Sequence, residues 1–163
     1  MINYSSVCNA IQVAISANNG KAGSSAYWQI CHANFPESKY AVDFLLPLGT
    51  PVLAARRGSV VLAKHESDLY IGLADMERMT DEELQAFVAA HTNVVCIAHG
   101  DGTYAEYAHL DREAVVHKGQ SVEQGDITGY CGMSGATTTP HLHFNVFRMK
   151  GKQARSIPVV FEA

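Results

Sequence analysis

The sequence predicts a mainly β fold, an antiparallel sheet or sandwich with one short helix in an insertion. Three observations predict it. Apolar residues gather in short β-prone runs, at 40–46, 52–55, 60–63, 93–99, 103–110 and 142–147. Glycine or proline stands between most of them, as at Pro47, Gly49, Pro51, Gly58, Gly100, Gly102, Gly119, Gly125 and Gly129. Only residues 64–92 break this rhythm with a helical pattern.

At 163 residues the chain is long enough for one domain with a sizeable core. A hydrophobic fraction of 47% with 17% charged residues is that of a globular protein, and no apolar run approaches a membrane span. The net charge of -4 gives no support for a nucleic-acid or anionic-membrane partner. No signal peptide is visible, because the first twenty residues lack a basic start followed by a solid apolar block. Cys8, Cys31, Cys96 and Cys131 are scattered without a Cys-x-x-Cys pair, so they read as free buried thiols, with disulfides open outside the cytosol.

Residues 1–26 mix strand and helix spacing before Asn18-Asn19-Gly20 and Gly23-Ser24-Ser25, and read as an extension packed on the core. Residues 27–163 form the domain proper. After a loop-like stretch at 31–36, strand 40–46 carries Asp43 among apolar neighbours. A carboxylate there needs a cation, a metal or hydrogen bonds. Two strands, 52–55 and 60–63, turn around Arg56-Arg57-Gly58. The 64–92 insertion holds a capping box, Thr80 with Glu83, followed by Leu84, Phe87 and Val88 at helical spacing. His65 and His91 read as surface residues of this insertion.

Strand 93–99, a tight turn at 100–102 and strand 103–110 make a hairpin. Alternation along its second strand puts His109 on the face of Thr103, Ala105 and Tyr107. Short β segments follow at 115–116, 121–122 and 127–128, then a small-residue loop at 132–139, and a final edge strand is expected at 159–161. The 132–139 loop leads into Pro140-His141-Leu142-His143-Phe144. Alternation sets His141, His143 and Asn145 on one face and Leu142, Phe144 and Val146 on the other. Two imidazoles on one strand face can share a metal, or divide metal binding and proton transfer between them. Catalytic zinc takes three protein ligands. Asp43 and one paired histidine supply two, and residue chemistry leaves the third open among His32, His65, His91, His99, His109 and His117.

Three blocks carry a resemblance. Tyr40-Ala-Val-Asp-Phe with Pro47-Leu-Gly-Thr-Pro-Val, then His99-Gly-Asp-Gly-Thr-Tyr-Ala-Glu-Tyr-Ala-His109-Leu, then Gly129-Tyr130 through Pro140-His141-Leu142-His143-Phe144 resemble, in order, the signatures of the LytM/lysostaphin-type zinc endopeptidases. The resemblance spans roughly residues 29–148. It implies one zinc per chain held by Asp43 and His143, with His109 and His141 as catalytic histidines, and peptidoglycan peptide cross-links as substrate. A third ligand upstream of the aspartate is implied too. Lys39 occupies the position four before Asp43 where much of the family has it, so His32, the only histidine before Asp43, is the candidate. Met133 and Thr139 also depart, from a common asparagine and a common glycine. A periplasmic or cell-wall setting is the expectation from the family. The rival readings are a catalytically inactive relative that regulates wall hydrolysis, which Lys39 favours, and a phosphocarrier-like β domain, which the Asp43 block disfavours.

Overall fold

The computed structural model describes residues 36–161. The extension at 1–26, His32, Cys8 and Cys31 lie outside them. The described chain runs β1 (Val42–Leu45), β2 (Pro51–Leu53), β3 (Gly58–Lys64), β4 (Tyr70–Ile71), α1 (Leu73–Met76), α2 (Asp81–His91), β5 (Val94–Ala98), β6 (Tyr104–Ala108), β7 (Ser121–Val122), β8 (Ile127–Tyr130), β9 (Gly135–Ala136), β10 (His141–Lys150) and β11 (Gln153–Ser156). The main sheet has the order β1-β10-β6-β5-β3-β7, with β11 also paired to β10. All its ladders are antiparallel. The mainly β, antiparallel expectation holds.

β10 is the axis of the sheet. It pairs with β6 on one edge and with β1 and then β11 on the other. Leu142, Phe144 and Val146 point into a core with Phe44, Tyr107, Ala105, Val95, Ile97 and Val60. Tyr107 is fully buried, and its hydroxyl accepts the Ala55 N–H at 2.8 Å, which satisfies the polar end of an otherwise apolar ring. The opposite face of β10 is no solvated surface: His141, His143 and Asn145 are 1%, 8% and 3% exposed.

The predicted helix and its capping box are present. Thr80 accepts the Glu83 N–H at 3.3 Å, and the Glu83 carboxylate accepts the Thr80 N–H at 2.8 Å. α2 buries no residue, so its caps and the Lys64 ammonium, which donates to the Ala89 and Ala90 carbonyls at its C-terminal end, hold it more than packing does. Three expectations need correction. No strand forms at 115–116, where Val116 enters the core from irregular chain. The terminal edge strand is Gln153–Ser156 rather than 159–161; Phe161 instead packs edge-on against Phe44 at 5.5 Å. His65 is partly buried, with both ring nitrogens enclosed.

The β5–β6 turn is fastened by Asp101. One carboxylate oxygen accepts the Thr103 N–H at 3.0 Å and hydroxyl at 2.6 Å, and the other accepts Arg56 at 2.8 Å. Burial works against the charge, but Arg56 and Thr103 outweigh it and hold this carboxyl well below its ordinary range. A lowered folded-state pKa means that the stability contributed is complete above the ordinary value and is lost as pH falls through the lowered one. The site is partly solvated, so Asp101→Asn is expected to cost only about 1 kcal/mol at neutral pH. In urea unfolding, the gap to wild type should close between roughly pH 5 and pH 2.

Candidate active site

The register of three strands builds the site. Asp43 on β1 lies directly across from His143 on β10, which lies across from Ala108 on β6. Directly paired residues share a face, so Asp43, His141, His143 and Glu106 are all on the side of the sheet away from the core. The Asp43 carboxylate is 8% exposed. Its Oδ1 accepts the His143 Nδ1–H at 3.0 Å and stands 3.8 Å from His141 Nε2. Glu106 Oε1 is 3.9 Å from the far nitrogen of His143.

His109 reaches this cluster by leaving its strand. Simple alternation would have put it on the face of Tyr107, inside the core. β6 ends at Ala108, and His109 takes φ 61°, the single non-glycine positive φ among the described residues. The left-handed turn swings the ring to the other face, 4.6 Å from the ring of His141 and 6.1 Å from that of His143. Such a conformation costs a non-glycine residue on the order of 1–3 kcal/mol, so the surroundings must enforce it. Gly132 N–H donates to the His109 carbonyl at 2.9 Å, and Leu110 N–H donates to the Asn93 carbonyl at 3.3 Å. This flip is the part of the site that periodicity misread; the signal available was the end of the β-prone run at His109-Leu110-Asp111.

Hydrogen bonds to carbonyls fix two tautomers, because a carbonyl oxygen can only accept. His109 Nδ1 donates to the Ser134 carbonyl at 2.8 Å, and His141 Nδ1 donates to the Thr139 carbonyl at 2.8 Å. The lone pair of each neutral ring is therefore on Nε2. Burial, then the neighbouring His141 and His143, push His109 down to about 3, so its ring is neutral at physiological pH. For His143 burial opposes the charge, but the hydrogen bond and charge of Asp43, with Glu106 behind, raise it above its ordinary value.

The structure thus brings together four of the five expected site residues, and the fifth, His32, lies outside the described residues. Lys39, at the alternative ligand position, is exposed with its ammonium over the Tyr40 ring. His117 is exposed, His99 Nδ1 donates to the Arg57 carbonyl at 2.8 Å, and His91 bonds Ser67, all away from the cluster. Asn145 shares the face but serves the fold, donating to the Glu37 carbonyl at 2.7 Å and accepting from Ser156 at 2.8 Å. Among the described residues no set of three or more His, Cys, Asp or Glu side chains is arranged around a common point for a metal ion. With His32 outside, two of the expected ligands remain, and they are bonded to each other. Their chemistry fits zinc: a buried carboxylate oxygen beside an imidazole nitrogen, with Nε2 of a second imidazole 3.8 Å from the same oxygen.

Comparison with known proteins gives consistent relatives. Residues 37–156 match peptidase family M23. The chain is 33% identical over 104 residues to peptidoglycan DD-endopeptidase ShyA of Vibrio cholerae, covering 64% of this chain and 19% of that protein. It is 30% identical over 131 residues to ShyB of the same organism, covering 74% and 25%. Among solved structures, the catalytic domain of lysostaphin from Staphylococcus simulans superposes with a TM-score of 0.50 at 28% identity, over 72% of this chain and 74% of that one. The chain therefore matches about a fifth to a quarter of the length of these two curated relatives.

The loop that carries the Ser134 carbonyl is packed tightly from behind. Gly135 has φ 86°, and a Cβ there would run into the Thr92 side chain. Gly119 has a similar φ of 90° but open space around it. Gly135→Ala should therefore cost about 2–4 kcal/mol, from backbone strain plus overpacking, and Gly119→Ala about 1 kcal/mol from strain alone. Urea unfolding of the two variants checks the difference.

Proposed function

Because this chain belongs to peptidase family M23, we propose that it is a zinc-dependent endopeptidase that hydrolyses peptide cross-links of bacterial peptidoglycan. The observation that carries the reading is the convergence of Asp43, His109, His141 and His143 on one buried face of the sheet. The names of the relatives ShyA and ShyB support the substrate class. Peptidoglycan implies work outside the cytoplasm, and no helix among the described residues is long and apolar enough to cross a membrane. The catalytic unit would be residues 27–163, with 64–92 as an insertion and 1–26 as an appended segment.

Asp43 and His143 would hold the metal, with His32 as third ligand. Zinc, when bound, supplies Lewis acidity toward a peptide carbonyl and lowers the pKa of water. The rest of the chemistry falls to the chain. His109 is neutral, and because its Nδ1–H is held by the Ser134 carbonyl, Nε2 is the ring atom that would take a proton from the attacking nucleophile. His141 is held in the same tautomer by Thr139, and after gaining a proton its Nε2–H can donate to a developing oxyanion or leaving amine. The two rings are 4.6 Å apart, so one proton acceptor and one donor can serve the same scissile bond. Burial of both keeps water from competing for these hydrogen bonds. To bind metal, His143 must give up the Nδ1 proton now shared with Asp43.

The expected outcomes separate ligands from catalysts. His143→Ala should lose zinc retention and activity together. His109→Ala should keep zinc, measured by metal analysis, and lose about 10²- to 10⁴-fold in rate. Loss of zinc on His109→Ala would refute that division. Digestion of purified peptidoglycan by the zinc-loaded protein, read by mass spectrometry, should remove cross-linked fragments in a chelator-sensitive way. Walls with glycine bridges and walls with direct diaminopimelate cross-links identify the bond. An intact wall in both cases, with no zinc bound, would point instead to the inactive regulatory relative that Lys39 suggests.

A further inference from the structure

Beside the site, sharing Ser134 with it, sits a hydrogen-bonded knot centred on Asn93. Asn93 is fully buried, and every polar group it has is used. Its side-chain oxygen accepts the Ser67 N–H at 3.1 Å, and its amide donates to the Ser67 carbonyl at 2.7 Å and the Leu110 carbonyl at 3.1 Å. Its backbone N–H donates to the Ser134 hydroxyl at 2.9 Å, and its carbonyl accepts Leu110 N–H. The Ser134 hydroxyl in turn donates to the Leu110 carbonyl at 2.8 Å. A buried polar network with every member satisfied is rigid, because each displacement leaves a desolvated group without a partner.

The knot grips the chain on both sides of His109's environment. Leu110, next to the left-handed residue, is held through its N–H and twice through its carbonyl. Ser134, which the knot holds by its hydroxyl, supplies the carbonyl that takes the His109 Nδ1–H. Segment 64–92 closes the knot from outside. Ser67 joins Asn93 and contacts His91, while β4 pairs in parallel with β9, just after Ser134. The Leu69 and Ile71 carbonyls accept the Gly135 and Thr137 N–H groups at 2.9 and 3.0 Å.

We propose that Asn93 and Ser134 are positioning residues for His109, holding its left-handed backbone and its Nδ1–H tautomer, with segment 64–92 as the buttress that fixes them. The inference rests on the reading of His109 as a catalytic group. It explains why an exposed, weakly packed helix is fastened to the sheet beside the site: the segment does little for the core but completes the pairing of Asn93.

The test uses the full, zinc-loaded chain labelled with ¹⁵N-histidine. In long-range ¹H–¹⁵N spectra, wild-type His109 should show a protonated Nδ1 and an unprotonated Nε2. In Ser134→Ala, which keeps the carbonyl but frees it, and in Asn93→Ala, the His109 signals should shift toward a mixture of tautomers. With cross-linked peptidoglycan fragments as substrate, Ser134→Ala should lower kcat about tenfold with little change in KM. Ser134→Thr, which retains the hydroxyl, should restore both readouts. An Nε2–H tautomer in wild type overturns the proposal, whether or not Asn93→Ala folds. So does a folded Ser134→Ala with unchanged tautomer and kcat, even if its Tm falls. If wild type hydrolyses nothing, the peptidase reading fails on its own, and the spectra still decide what holds His109.

Discussion

A strand with imidazoles on one face and apolar side chains on the other has to be covered on both, and this condition organises the molecule. β10 meets it by pairing along both edges and burying residues 141–146. One face is covered by an apolar core. The other is covered by polar groups, and there each buried nitrogen or oxygen must be answered by a partner. That requirement brings Asp43 across from His143, Thr139 behind His141 and Ser134 behind His109. The same groups that make the imidazoles tolerable in the interior fix which of their atoms faces outward.

Much of this was legible in the sequence because it depends on a period of two. The strands around Asp43, in the 93–110 hairpin and at His141–Phe147 lie where alternation put them, and the helix at Thr80 starts at its capping box. His141 and His143 share a face for the same reason, whereas Asp43 joins them through the β1–β10 register, which no local pattern contains. His109 shows where the rule fails: alternation holds only while φ stays in the β region, and one positive φ reversed its face. The Asn93 knot was not legible either. Its partners are 17 to 41 residues away, and no local pattern marks a buried asparagine as anything but a strand-end polar residue. The parallel β4–β9 pair is too short to leave a signal, at two residues a side. His32 stays as the sequence left it, a candidate named by its place before Asp43.

The relatives add what neither periodicity nor geometry contains, an indication of the kind of bond the proposed reaction would break. A carboxylate and three imidazoles in a buried cluster suit several metal-assisted reactions. Membership in peptidase family M23 favours peptide hydrolysis among these, and the names of ShyA and ShyB suggest the polymer. Around that shared frame lie Lys39, turned to solvent, and segment 64–92, which meets the Ser134 side of the site through the β4–β9 pairing and the Ser67–Asn93 bonds.

The Asp43–His143 contact joins residues 100 positions apart, and β1 has no other strand partner than β10 among the described residues. A ribosome therefore releases Asp43, and later His109, long before the strand that gathers them exists. Until β10 emerges, the growing chain carries the separate groups but no cluster. By order of synthesis alone, the cluster of Asp43 with the three histidines is among the last parts of the described chain that can form.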